Sequence, residues 1–151
     1  MNKEKLINME VKNIWTDMDF EEMGWHDSHI YSILFPDERL KLVLDIDYIF
    51  KWVLNEESGF YNFWVSPCSL IFMDVLNLKI NINFENSIGL NIEDINRSNP
   101  RLSANGEVTL WDYSILTDIG AITFKSSGYK QQVKQQPVYS SSPITRLCNP
   151  L

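Results

Sequence analysis

The fold is indicated most clearly by residues 76–84, LNLKININF, in which apolar and polar side chains alternate. Successive side chains of a β-strand point to opposite faces, so this alternation predicts a half-buried strand. The stretch 39–48 alternates in the same way, with Leu40, Leu42, Leu44, Ile46 and Tyr48 on one face. The two stretches together predict a fold rich in strands.

Turn residues divide the rest of the chain into further short strands. The turn signal at 36–38 joins residues 28–35 and 39–50 as a hairpin. Other candidate strands cover 60–65, 69–75, 88–95, 107–114 and 119–125. We therefore expect a mainly β protein, built as an antiparallel sandwich or a partly rolled sheet.

The N-terminal part follows a different period. Apolar residues recur at helical intervals over residues 4–23, which predicts one or two short helices that Gly24 ends. With 151 residues, the chain suits one domain. We expect a helical segment over 1–24, an antiparallel body over 28–125 and a polar basic tail over 126–151.

Charge is distributed unevenly along the chain. The net charge is −7, but residues 119–151 carry four basic residues and no acidic one. Residues 13–38, here called the acidic window, carry seven acidic residues and no Lys or Arg. This window would repel nucleic-acid phosphates and attract a cationic partner. It is either a docking surface or a solvated face that serves solubility.

The tail allows two interpretations as well. Its composition shifts towards Gln, Ser and Lys, which is typical of a mobile polar segment. Alternatively, its sparse apolar residues strap it across the acidic body as a final edge element. Those residues are Tyr129, Val133, Val138, Tyr139 and Ile144.

Cellular location is indicated by what the composition lacks. The first ten residues contain no signal-peptide apolar region, and no apolar run is long enough for a membrane span. Cys68 and Cys148 do not suggest a disulfide framework. A cytoplasmic location is the expectation.

Both histidines fall in residues 25–29, WHDSH. His26, Asp27 and His29 would form a mixed imidazole and carboxylate metal site if Asp45 or Asp47 joined them from the neighbouring strand. In an extended conformation, however, Asp27 and His29 share a face while His26 points to the other. The competing interpretation is a structural corner, in which Trp25 is buried and His26 or Asp27 hydrogen-bonds the backbone.

Other catalytic arrangements are absent from the sequence. No histidine lies near Cys68, and the chain has neither a Gly-x-Ser-x-Gly elbow nor a glycine-rich phosphate loop. Asp45 and Asp47 lie opposite the aliphatic face of their strand, where solvent exposure explains them without chemistry. We assign no catalytic residue, no metal and no cofactor.

Aromatic residues cluster around the acidic pair Glu56 and Glu57. Their clustering fits either the core or a surface that accepts cations. They are Trp52, Phe60, Tyr61, Phe63 and Trp64.

Three stretches carry a family resemblance: MGWHDSHIY at 23–31, LDIDYI at 44–49 and FWVSP at 63–67. They resemble a family of small bacterial proteins with a Trp-His-Asp motif and no established activity. In its His-Asp pair before the first strand, that family is similar to immunity proteins of polymorphic toxin systems. The resemblance extends from about residue 20 to the strand at 120–124 and its tail. It implies an accessory or protein-binding role and supplies no catalytic residues.

The expected function is therefore a non-enzymatic protein-binding module, in the form of an immunity-like inhibitor of a basic toxin. The alternative is a metal-dependent hydrolase using His26, Asp27, His29 and Asp45 or Asp47. The residues expected to contact a partner are Asp17, Asp19, Glu21, Glu22, Trp25, His26 and Asp27.

Overall fold

The computed structural model describes residues 8–146. Within them, the chain forms ten strands and one 3-10 helix, which spans Asp17–Glu22. The strands are β1 (Ile14–Thr16), β2 (Ser28–Leu34), β3 (Leu42–Leu54), β4 (Tyr61–Met73), β5 (Leu76–Ile82), β6 (Asn91–Leu102), β7 (Thr109–Thr117), β8 (Gly120–Ser126), β9 (Gly128–Val133) and β10 (Val138–Ser140).

The strands build one antiparallel sheet that does not close on itself. Its order is β1-β9-β4-β3-β2-β6-β7-β8-β5, and β10 pairs with the N-terminal half of β4. The prediction of a mainly β, antiparallel protein is confirmed. No helix among residues 8–146 has the length and apolar character needed to cross a membrane.

The sheet folds over so that its two halves share one core. Phe72 of β4 lies 5.1 Å from Tyr113 of β7 and 4.7 Å from Phe124 of β8, measured between ring centroids. β4 and β7 are four positions apart in the sheet order, which in a flat sheet would separate them by roughly 19 Å. The fold-over is possible because β2 and β6 pair at only two positions, Ser28 with Ile92 and His29 with Asn91.

The helical N-terminal segment is the main error of the sequence prediction. Of the residues predicted as helix, 4–7 lie outside the described part, 14–16 form β1 and 17–22 form the 3-10 helix. Thr16 begins this helix with a capping box that Asp19 completes, and Met23 ends it in an extended conformation. The apolar residues that recur at helical intervals do not all face the core, since Met18 is 89% exposed. Their spacing was therefore not evidence for a longer helix.

Pro67 does not end a strand, although the sequence prediction placed separate strands on its two sides. The carbonyl of Pro67 accepts a hydrogen bond from the Lys134 amide, just after β9 ends. Backbone groups of one residue face the same neighbouring strand, so the missing N–H of Pro67 faces the gap between β9 and β10. β4 therefore continues through it for thirteen residues.

The C-terminal segment forms part of the sheet. β9 lies between β1 and β4 and is an interior strand, whereas β10 pairs only with β4 among the described strands and is an edge element, as the strapped interpretation of the tail expected. Tyr129 and Val133 are buried in the shared core.

Candidate functional site

A corner of the chain, residues 23–28, joins the 3-10 helix to β2. The Trp25 side chain is only 2% exposed and meets the rings of Tyr48 and Tyr129 edge-on. Its indole N–H donates to Gln131 Oε1 over 2.8 Å. The prediction that Trp25 is a buried anchor is confirmed, and a partner cannot contact this side chain directly.

The backbone of the corner turns at Asp27, whose φ is +64°. The Ser28 amide donates to the Trp25 carbonyl over 2.9 Å, and the Asp27 amide donates to Ile92 of β6. His26 Nδ1 lies 3.2 Å from the backbone oxygen of Glu93. These bonds tie the corner to β6 and leave the side chains of His26 and Asp27 on the surface.

A shallow, open depression of about 330 Å³ lies beside this corner and is lined by His26, Asp27, Trp52 and Tyr61. We call it the Trp52 cleft. The His26 ring stacks on the Trp52 indole, with centroids 6.0 Å apart and planes 26° apart. Tyr61 and Phe63 meet the same indole edge-on at 5.7 and 4.9 Å. These contacts hold the indole in place, while the Trp52 residue stays 37% exposed.

The aromatic cluster predicted from the sequence divides between core and surface. Phe63 and Trp64 are buried, whereas Trp52, Phe60 and Tyr61 are exposed. Phe63 and Trp64 thus belong to the buried core, while cation binding by the exposed three stays a prediction.

Asp19 of the acidic window is used inside the chain. Its carboxylate accepts hydrogen bonds from the Lys12 ammonium at 2.7 Å and from the Thr16 amide at 2.9 Å. These two bonds lower the pKa of Asp19, with the Lys12 bond contributing most. Asp19 therefore secures the start of the 3-10 helix.

The other window acids differ in their surroundings. The Asp17 carboxylate packs against Gly128, where an added Cβ would come within 2.7 Å of it. Asp37 pairs with Arg39 at 3.0 Å. Three exposed window acids have no ion pair within the described residues: Glu21, Glu22 and Glu38.

The two histidines occupy different clefts. His26 lines the Trp52 cleft, whereas His29 lines a groove of about 440 Å³ with Phe84 and Ile88. His29 Nδ1 is bonded to the Asn91 side chain at 2.9 Å. Within residues 8–146, no three His, Cys, Asp or Glu side chains come close enough to hold a metal ion. The geometry thus does not assemble the residues of the hydrolase alternative.

Asp45 and Asp47 are covered by the C-terminal segment, contrary to the solvent exposure expected from the sequence. Asp47 is fully buried and accepts hydrogen bonds from Tyr31 and Thr145. Asp45 pairs with Arg146 at 2.6 Å and with Lys134 at 2.7 Å. These bonds, led by that from Arg146, lower the pKa of Asp45 to about 2.

Sequence reasoning missed the partners in both arrangements. The pairing of His26 with Trp52, and that of Asp45 with Arg146, join residues distant in the chain. The opposite charges of tail and body were the one available signal for the second pairing. No comparable signal linked His26 to the β3–β4 hairpin.

No family model, no curated protein and no solved structure matches this chain. The resemblance to immunity proteins stays a prediction.

Proposed function

We propose that this chain is a non-enzymatic protein-binding module that takes a basic partner protein on the face formed by the Trp52 cleft and the neighbouring acids of the window. The Trp52 cleft carries the proposal. The few residues that dominate binding energy at protein interfaces are enriched in Trp and Tyr, and both types are exposed here. Here they stand beside Asp27, whose side chain is 49% exposed.

The charge of the surrounding segment supports a cationic partner. Glu21 and Glu22, exposed at the end of the 3-10 helix, precede His26 by only a few residues. The negative electrostatic potential of these acids accelerates the encounter with a basic protein, and added salt weakens this effect. An immunity-like inhibitor of a basic toxin, acting in the cytoplasm, is the particular form of the proposal.

The test uses a basic protein encoded beside this chain's gene, with binding followed by biolayer interferometry at low and high ionic strength. We expect the double substitution Glu21→Lys and Glu22→Lys to slow association about tenfold at low salt. The matched control carries Glu85→Lys and Glu107→Lys, which reverse the charge of two exposed acids on other loops. Equal association rates for both double variants would contradict this surface.

The inhibitor form has its own test. Co-expression of the chain should neutralise the toxicity of the same basic partner in cells, and the Glu21→Lys, Glu22→Lys variant should neutralise it less. A partner that binds but is harmless on its own would contradict the inhibitor form while leaving the binding module intact.

A further inference from the structure

We propose that the Trp52 cleft is the recognition site for one arginine side chain of the protein partner. The inference rests on the proposed function and names the chemistry of the contact. It depends on three properties of the cleft: its hydrogen-bond acceptors, its aromatic wall and its charge.

The acceptors are His26 Nε2 and the Asp27 carboxylate. A carbonyl oxygen only accepts hydrogen bonds, so His26 Nδ1 carries the hydrogen that it directs at the Glu93 oxygen. In the neutral ring, Nε2 is therefore an acceptor, and it lies 3.7 Å from Asp27 Oδ1. Two acceptors this close together favour a ligand with several N–H donors in a fixed plane. A guanidinium group has that form.

The aromatic wall suits a flat cation. Guanidinium groups stack on indole and phenol rings, with Trp giving the strongest attraction. The chain itself contains examples: Arg97 lies 4.3 Å from the Phe20 ring centroid and 4.2 Å from that of Trp111. Arg146 lies 4.0 Å above Tyr31. Beside the stacked His26 ring, the exposed parts of Trp52 and Tyr61 offer the same kind of surface, and no arginine of the described residues lines it.

The charge of the cleft completes the match. Asp27 is acidic, and no Lys or Arg is among the lining residues in the described part of the chain. Lys51 precedes Trp52 in β3, so its side chain points to the opposite face of the strand. The acidic hairpin tip at Glu56 and Glu57 adds negative charge at the end of the strands that carry Trp52 and Tyr61.

The experiment is an NMR titration of the labelled chain with N-acetyl-arginine methylamide at about pH 8, where histidine side chains are generally neutral. Saturable shifts should appear at the Trp52 indole N–H. The citrulline analogue has nearly the same shape without the charge, and we expect it to bind about tenfold more weakly. The lysine analogue should bind more weakly than arginine because it lacks the planar fork.

Two variants separate recognition from folding. Asp27→Asn keeps the shape of the side chain, and asparagine tolerates the φ of +64°. Trp52→Ala removes the aromatic wall. Both should weaken arginine binding about tenfold, whereas Glu107→Gln and Phe60→Ala, outside the cleft, should leave it unchanged. Melting curves of each variant test whether it is folded.

Equal binding of the arginine and citrulline probes, or shifts spread over the acidic surface without saturation, would overturn the proposal. The proposed function fails separately. If the basic partner binds both cleft variants normally but the Glu21→Lys, Glu22→Lys variant poorly, the binding module stands and the arginine site is wrong. If the probe binds the cleft but no basic partner binds the chain, the cleft does bind arginine and the binding module is wrong.

Discussion

At the scale of single residues, Trp25 has the clearest structural role. It is almost fully buried, touches the rings of Phe20, Tyr48 and Tyr129, and satisfies the Gln131 amide oxygen. We expect Trp25→Ala to lower the free energy of unfolding by about 3–5 kcal/mol, because it leaves a cavity and an unpaired buried acceptor. Urea denaturation measures the change.

The matched control for Trp25 is Met18→Ala, since Met18 is 89% exposed on the adjacent 3-10 helix. Its effect should stay within about 0.5 kcal/mol. A loss of partner binding in Trp25→Ala that exceeded the unfolded fraction would contradict a purely structural role for this residue.

Asp45 gives a prediction for the dependence of stability on pH. Its pKa is lowered from 3.8 to about 2 in the folded chain, first of all by the Arg146 bond. A depressed pKa means that the ion pairs stabilise the fold above pH 3.8 and that this stability is lost as the pH falls through about 2. The stability difference between the parent chain and Asp45→Asn should therefore shrink between these two pH values.

Urea denaturation of both proteins across that pH range measures the convergence. In a background with Lys134→Met and Arg146→Met, the pH-dependent part of the difference should largely disappear, since both cationic partners of Asp45 are gone. A difference that is the same at every pH, or that grows towards low pH, would show that these ion pairs do not set the acid stability of the C-terminal segment.

The two-residue period separated the apolar from the polar side chains of β3 but did not show what covers the polar ones. The alternation in residues 39–48 correctly separated Leu42, Leu44 and Ile46 from the polar face. It could not show that the polar face is covered, because Asp45 and Arg146 lie 101 positions apart. Contacts at that separation depend on where the whole sheet brings the C-terminal segment.

At the scale of elements, the pairing of β5 with β8 depends on Gly120. Its φ is +154°, and an added Cβ would come within 2.0 Å of the Asn81 carbonyl oxygen. We expect Gly120→Ala to destabilise the fold by about 1–3 kcal/mol, through strain and local loss of pairing at Ile82. Hydrogen exchange of the β5 and β8 amides measures the local effect.

The control for Gly120 is Gly24→Ala, because an added Cβ at Gly24 meets nothing within 4 Å. It should leave both stability and exchange rates nearly unchanged. Unaltered protection of the β5 amides in Gly120→Ala would contradict the assigned close approach.

Elements with a clean two-residue period were predicted well, and those with mixed signals were not. The β2–β3 hairpin was expected and is present. The predicted strand at 76–84 is present over Leu76–Ile82, but β5 lies at the end of the sheet, so Leu76 and Ile80 are 44% and 40% exposed. Alternation predicted an extended stretch but not its irregularity at Asn77, where φ is +54° and the pairing register shifts. Burial of the strand depends on which strands flank it.

At the scale of the whole molecule, the two halves of the sheet share one core. Phe72 of β4 packs against Tyr113 and Phe124 of the other half and is fully buried. We expect Phe72→Ala to lower the free energy of unfolding by about 3–5 kcal/mol. Because the core is shared, the slowest amides of β3 and of β7 should lose protection by the same amount in native-state hydrogen exchange. The control, Ile80→Ala at the exposed edge, should change neither strand. Lost protection in β3 alone would mean that the halves unfold independently and that their ring contacts do not couple them.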